Sequence, residues 1–120
     1  MRGQVAAGRG DLAQWMIRYS DAYERAAGVR LEPGSLNVVL DEPWVMEHPE
    51  VRLEASEIGV GVGLVSCRLD DVDCWIVRTD RNNADGGDHP LTVGEVVAQV
   101  HLRTELHLHD GDEVTLELSS

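Results

Sequence analysis

Apolar residues recur along this chain in short bursts separated by Gly, Pro, Asn and Asp, and one stretch alone keeps a helical period. From Leu12 to Ala27, the residues Leu12, Trp15, Met16, Tyr19, Tyr23 and Ala26 fall at helical spacing, and Gly28 ends the run. This predicts one substantial helix. Before it, Gly3 to Ala7 reads as an opening strand, followed by a loop from Gly8 to about Asp11. After it, a Pro33-Gly34 turn leads into a strand over Leu36 to Leu40. Period two places Ser35 and Asn37 on one face, turned toward solvent, with Leu36 and Val38 on the other.

Ile58 to Val65 alternates Gly with aliphatic residues, a strand with one nearly bare face, where glycine marks close backbone approach or a barrel bend. Asp73 to Thr79 pairs back onto it. With Asp70-Asp71 as the hairpin turn, Cys67 and Cys74 fall directly opposite one another. Asp80 to Pro90 is polar, Gly-rich and expected to be mobile. Val93 to Val100 is apolar and β-branched, Leu102 to Leu106 suits a single helical turn, and Val114 to Leu118 is a closing strand. Many short strands, one substantial helix and frequent turns predict a mainly β fold, a small closed or nearly closed barrel. The 120 residues read as a single domain, 1–120, burying about two-thirds of the unfolded surface.

Charge narrows the partners. The formal net charge is −12, and nucleic acid or an anionic membrane would demand a basic face. No run approaches the ~18 apolar residues of a membrane span, and the N-terminus has no signal-like apolar block, so a cytoplasmic protein is expected. Every cationic side chain apart from histidine is arginine. That excludes a Walker-type lysine and Schiff-base chemistry, and leaves arginine to meet phosphate. Two cysteines are too few for a structural zinc site, and reduced thiols fit a cytosolic domain better than a disulfide. His107 and His109 alternate but have no third nearby Cys or His.

Two motifs bear on chemistry. Ser35 and Asn37 offer two neutral oxygens side by side, too weak for a bare divalent cation but suited to Mg²⁺ arriving with a nucleotide's phosphates. Gly8-Arg9-Gly10-Asp11-Leu12-Ala13 follows the dinucleotide fingerprint in outline, with Glu32 about twenty residues on. The chain has no further strand–helix alternation to build a doubly wound sheet. The glycines could still aim bare backbone amides at phosphate.

In order along the chain stand Gly8-Arg9-Gly10-Asp11, the Tyr-bearing helical stretch, Pro33-Gly34-Ser35-Leu36-Asn37-Val38, and Leu102-Arg103 ahead of His109-Asp110-Gly111-Asp112-Glu113-Val114. By these motifs the chain resembles the CTP-dependent riboflavin kinases, known mainly from archaea, along nearly its whole length. That family's wording is a Gly-x-Gly-x-Gly loop, Pro-x-Gly-Thr-Leu-Asn, and Leu-Arg before a Lys-Asp-Gly-Asp turn. The resemblance implies a compact six-stranded cradle-loop barrel, RIFT-related, carrying one substantial helix. It implies an enzyme that moves the γ-phosphate of CTP to the 5′-hydroxyl of riboflavin, giving FMN and CDP, with Mg²⁺.

Carried across by position, the family's nucleotide-holding loop falls on Arg9, Gly10, Asp11, Leu12, Ala13 and Gln14. Its third glycine is Leu12 here, and its aromatic position is Gln14. A second nucleotide segment falls on Val100, His101, Leu102 and Arg103, and the magnesium pair on Ser35 and Asn37. The flavin-binding glutamate falls on Glu95, also the candidate general base. Strict counting puts Arg81 where the family has a flavin-contacting threonine, with Thr79 two residues earlier and a longer segment before Glu95. Plainer readings stand beside these: a simple strand-to-helix turn for the loop, a solvated helix residue for Arg103, an exposed carboxylate for Glu95. Two other functions stay open, a non-catalytic flavin- or nucleotide-binding regulatory barrel and a kinase of another small alcohol.

Overall fold

The computed structural model describes residues 1–8 and 12–119. Its strands are β1 (Arg2–Ala6), β2 (Leu36–Leu40), β3 (Val51–Leu53), β4 (Val62–Leu69), β5 (Val72–Thr79), β6 (Val93–Ala98) and β7 (Glu113–Leu118). They run in the order β3-β4-β5-β6-β2-β1-β7, and β7 pairs again with β4. All these pairings are antiparallel. The result is the expected barrel: six strands close on themselves and β3 hangs outside the ring on β4. A doubly wound sheet is thereby excluded.

Alternation sorts the side chains into two cores. Leu36, Val38, Val65, Cys67, Cys74, Ile76, Val96 and Leu116 point into the barrel. Leu64, Val77 and Val97 point outward, where Met16 and Tyr23 cover them from the helical layer. The strands between the two cores are therefore apolar on both faces, which is why Val96-Val97-Ala98 runs without a polar break. Fully burying a Val or Leu side chain stabilises by about 1.5–3 kcal/mol, so both layers matter to stability.

The predicted helix over Leu12–Ala27 is present as two, α1 (Leu12–Arg18) and α2 (Ser20–Ala27). The break falls at Tyr19, whose φ of −117° and ψ of 37° leave the helical region. Hydrogen bonds from Tyr19 N to Trp15 O (2.9 Å) and Tyr23 N to Tyr19 O (3.1 Å) span it. The turn lets Met16 of α1 and Tyr23 of α2 reach the same core under the curved sheet. Gly28 caps α2 as the sequence suggests.

A second correction concerns Ile58. The predicted Ile58–Val65 strand begins only at Val62, because a short helix, α3 (Ala55–Ile58), precedes it. A reciprocal capping box between Glu54 and Glu57 starts α3, and Gly59 ends it with φ of 86°. The remaining glycines do mark close approach. A β-carbon at Gly61 would lie 2.1 Å from Asp80 Oδ2, and one at Gly63 2.7 Å from Met46 Sδ.

The hairpin of β4 and β5 has the predicted register, with Cys67 opposite Cys74 and Asp70 at φ of 53° in the turn. Both cysteines are free and buried, their sulfurs 3.1 Å apart. The thiol contact with Cys74, then burial, pushes the Cys67 pKa up, so the Cys67 thiol stays protonated. Asp80–Pro90 carries more structure than a mobile connection would, opening with the helical turn α4 (Asp80–Asn83). The last short helix, α5 (Leu102–Glu105), is where the pattern predicts it.

Candidate functional site

β2 and β6 are neighbours in the barrel, and their register sets Asn37 directly opposite Glu95. Ser35, one pleat before Asn37 on the outward face, donates its hydroxyl to Asn37 Oδ1 at 3.0 Å and stands 3.3 Å from Glu95 Oε2. One hydroxyl has one proton and serves one acceptor at a time. Side-chain oxygens from three residues thus converge on a few ångströms of the barrel wall. Asn37 is only 5% exposed, so the solvated face expected for it is in fact covered. Part of the cover is the chain after β1: a β-carbon at Gly8 would lie 4.0 Å from Asn37 Nδ2.

Two cavities adjoin this cluster. The larger, about 870 Å³, is lined by Leu12, Trp15, Tyr23, Thr79, Arg81, His89 and Glu95 among others. That volume suits an organic ligand of two or three rings. Trp15 stacks on Tyr19 with ring centroids 5.3 Å apart, which fixes the indole at the rim. Tyr23 is buried, and burial first, then the Glu95 carboxylate, pushes its pKa up to about 12. Its hydroxyl therefore stays protonated at neutral pH.

The smaller cavity, about 100 Å³, is lined by Ser35, Val96, Val100, His101, Leu102 and Arg103, with the Pro33-Gly34 turn. It brings the second predicted nucleotide segment against Ser35 of the predicted metal pair. Arg103 donates to Ala6 O at 3.0 Å and Asp110 Oδ1 at 2.5 Å, so it ties the end of β1 to α5 and the 110s turn. It is not the freely solvated residue of the plainer reading. His101 pairs with Thr104 Oγ1 at 2.8 Å.

Of the predicted nucleotide loop, Arg9, Gly10 and Asp11 lie outside the described residues. Leu12 lines the larger cavity, while Ala13 packs near Gly34, where an added β-carbon would lie 4.0 Å from Ala13 Cβ. Gln14 is exposed and lines neither cavity. Among the described residues no group of three or more His, Cys, Asp or Glu could hold a metal ion. Ser35 Oγ and Asn37 Oδ1 are hard oxygen donors at a spacing one ion could bridge, fitting Mg²⁺ that brings phosphate and water as its other ligands.

Of the far wall of the larger cavity, the resemblance pointed to Thr79 and Arg81, and the rest was not legible in sequence. Thr79 lines it, yet its hydroxyl is also the N-cap of α4, accepting from Asn82 N at 3.1 Å. Arg81 Nε donates to Gly86 O at 3.0 Å. Asp80 forms a two-pronged ion pair with Arg52, at 3.0 and 2.7 Å, which holds its carboxyl below the usual range. Arg78, buried beside this wall, donates to Leu91 O at 3.1 Å and Val93 O at 2.9 Å and lies over the Trp44 ring. His89 completes the wall, its Nε2 3.6 Å from Glu95 Oε1. For His89 the sequence signal was Gly86-Gly87, which announces a tight loop without saying what it delivers.

Comparison with known proteins bears on this arrangement. A family model named for CTP-dependent riboflavin kinase, and described as domain of unknown function DUF120, matches residues 5–118. A riboflavin kinase of Methanocella arvoryzae is 32% identical over 126 residues, covering 98% of this chain and 56% of its own. One from Pyrobaculum islandicum is 32% identical over 130 residues, covering 98% of this chain and 59% of its own. This chain thus spans little more than half of those two proteins. One from Methanobrevibacter smithii is 31% identical over 124 residues, 96% of each chain.

Proposed function

Because this chain belongs to the riboflavin kinase family, we propose that it transfers the γ-phosphate of CTP to the 5′-hydroxyl of riboflavin, giving FMN and CDP. The observation that carries the reading is the position of Ser35. Its hydroxyl lines the small cavity beside Val100–Arg103 and also faces Glu95, which lines the large one. A flavin in the large cavity and a triphosphate along the small one would meet at the Ser35–Asn37–Glu95 cluster.

Phosphoryl transfer needs positioning and charge stabilisation more than covalent help from the protein. Ser35 and Asn37 would hold Mg²⁺, whose chemistry when bound is to neutralise charge on the phosphate oxygens. Glu95 would accept the 5′-hydroxyl proton as that oxygen forms its bond to the γ-phosphorus. The bond to the bridging oxygen breaks, and its electron pair leaves with CDP. Arg103 lines the small cavity, where its guanidinium would face the proposed phosphates. Trp15 and Tyr23 shape the apolar part of the acceptor cavity and exclude water from it. The chain has no helix, among the described residues, long and apolar enough to cross a membrane. We expect it to work in the cytoplasm.

Incubating the purified chain with riboflavin, Mg²⁺ and each of CTP, ATP, GTP and UTP tests the reading. FMN should form only when metal, flavin and triphosphate are all present. CTP should exceed ATP by at least about tenfold in kcat/KM, because a pocket of main-chain groups rejects a base that leaves them unpaired. Flavin binding without FMN would favour the non-catalytic barrel. Phosphorylation of a different alcohol would favour the altered acceptor, and ATP equal to CTP would remove the nucleotide assignment.

A further inference from the structure

We propose that His89 is a positioning residue, which holds the Glu95 carboxylate in place where the two cavities meet. The proposal rests on the phosphotransferase reading above and adds a residue to which neither motif nor family resemblance assigns a role.

The local structure is built to deliver this side chain. Thr79 caps α4 through Asn82 N, which fixes Asn82 in the first turn of that helix. The Asn82 carboxamide then accepts from His89 N at 3.3 Å. It also packs on bare backbone at Gly87, where a β-carbon would lie 1.8 Å from Asn82 Oδ1. These contacts fold the polar segment back across the cavity and leave the imidazole facing Glu95. Both side chains are mostly buried, 14% exposed for His89 and 15% for Glu95, so the contact is shielded from water and from salt.

The carboxylate has a polar neighbour at each end. Oε2 faces the Ser35 hydroxyl at 3.3 Å and Oε1 faces His89 Nε2 at 3.6 Å. The last torsion of a carboxylate is broad and soft, so each neighbour set against it narrows its swing. The imidazole set against the second oxygen, within ion-pair reach at 3.6 Å, narrows that freedom. Proton acceptance from a hydroxyl depends on sub-ångström placement, so the loss of His89 should lower turnover more than binding.

Three measurements test this. His89→Ala should lower kcat about tenfold with the riboflavin KM changed less than about threefold, and His89→Gln, which keeps an N–H donor, should recover most of it. In a Glu95→Gln background, His89→Ala should cost little more, because the group it positions is gone. Unaltered kcat in His89→Ala, or losses that simply multiply in the double variant, would overturn the proposal. The third readout needs no turnover: the His89 imidazole ¹⁵N shifts, assigned by their loss in His89→Gln, should move on Glu95→Gln. Unmoved shifts would overturn the contact itself. Shifted resonances in a chain that phosphorylates nothing would uphold the His89–Glu95 contact and remove the kinase reading instead.

Discussion

Replacing Asn37 with alanine separates the residue's part in folding from its proposed part in catalysis. On the folding side, Ser35 loses an acceptor at 3.0 Å but keeps Glu95 Oε2 at 3.3 Å, so its hydroxyl is not stranded. The cost is then one neutral hydrogen bond, about 0.5–1.5 kcal/mol, plus packing at a site only 5% exposed. A total of about 1–2 kcal/mol corresponds to a melting point lowered by about 3–10 °C in a domain of this size. Native stabilities of about 5–15 kcal/mol leave the variant folded at assay temperature. On the catalytic side, one of two protein ligands to the proposed metal disappears. Loss of one such contact costs about 10–1,000-fold in kcat/KM, or about 1.4–4 kcal/mol of transition-state stabilisation. The decisive assay is steady-state FMN formation against Mg²⁺ concentration, beside a thermal melt of the same sample. Asn37→Asp keeps an oxygen at the site, so it should retain more Mg²⁺-dependent activity despite a second carboxylate opposite Glu95. An Asn37→Ala variant that melts in the stated range and keeps full kcat/KM at every Mg²⁺ concentration would refute the metal assignment.

Two further outcomes follow from the walls of the larger cavity. Gly61→Ala would set a methyl 2.1 Å from Asp80 Oδ2, and relief requires breaking the Arg52–Asp80 pair. The melting point and the riboflavin affinity should both fall, with Asp80→Ala in the same chain restoring part of the melting point; wild-type values in Gly61→Ala would refute the constraint. Tyr23 titrates near pH 12 when folded against about 10 when unfolded, so its contribution is complete below pH 10 and lost as pH rises toward 12. Denaturant unfolding across that range should show Tyr23→Phe losing up to about 2–3 kcal/mol less than wild type, and parallel slopes would contradict it. The Cys67 thiol, also pushed up, is common to both proteins and cancels in the comparison.

What the sequence made legible was local. β2 has the predicted bounds because a Pro-Gly turn marks its start and period two from Leu36 sorts its faces. Cys67 faces Cys74 because a two-residue turn fixes hairpin register by counting. The missed elements draw their stability from distant partners. β3 is only three residues long and exists because β4 pairs with it. The break at Tyr19 answers to the curvature of a sheet whose strands are remote in sequence. The site divides the same way: Ser35 and Asn37 could be paired by period two alone. Their meeting with Glu95 depends on the β2–β6 ladder, a contact across sixty residues. His89 lies still further from view, since it reaches Glu95 through Asn82, whose turn is set by a cap on Thr79. Glu95 itself was found by resemblance and not by pattern.

Closure of the sheet also governs how molecules of this protein meet one another. An open sheet ends in two rows of unpaired amides and carbonyls, each a template on which a second chain can polymerise. Here the ring joins β7 to β4 and both rows vanish. Among the described residues the strand left outside the ring is β3, too short at three residues to seed a ladder. Native molecules therefore offer one another little to zip onto, and a net charge of −12 keeps them apart at long range. Aggregation in a concentrated solution should then track unfolding, following the melting curve and not the concentration of folded protein.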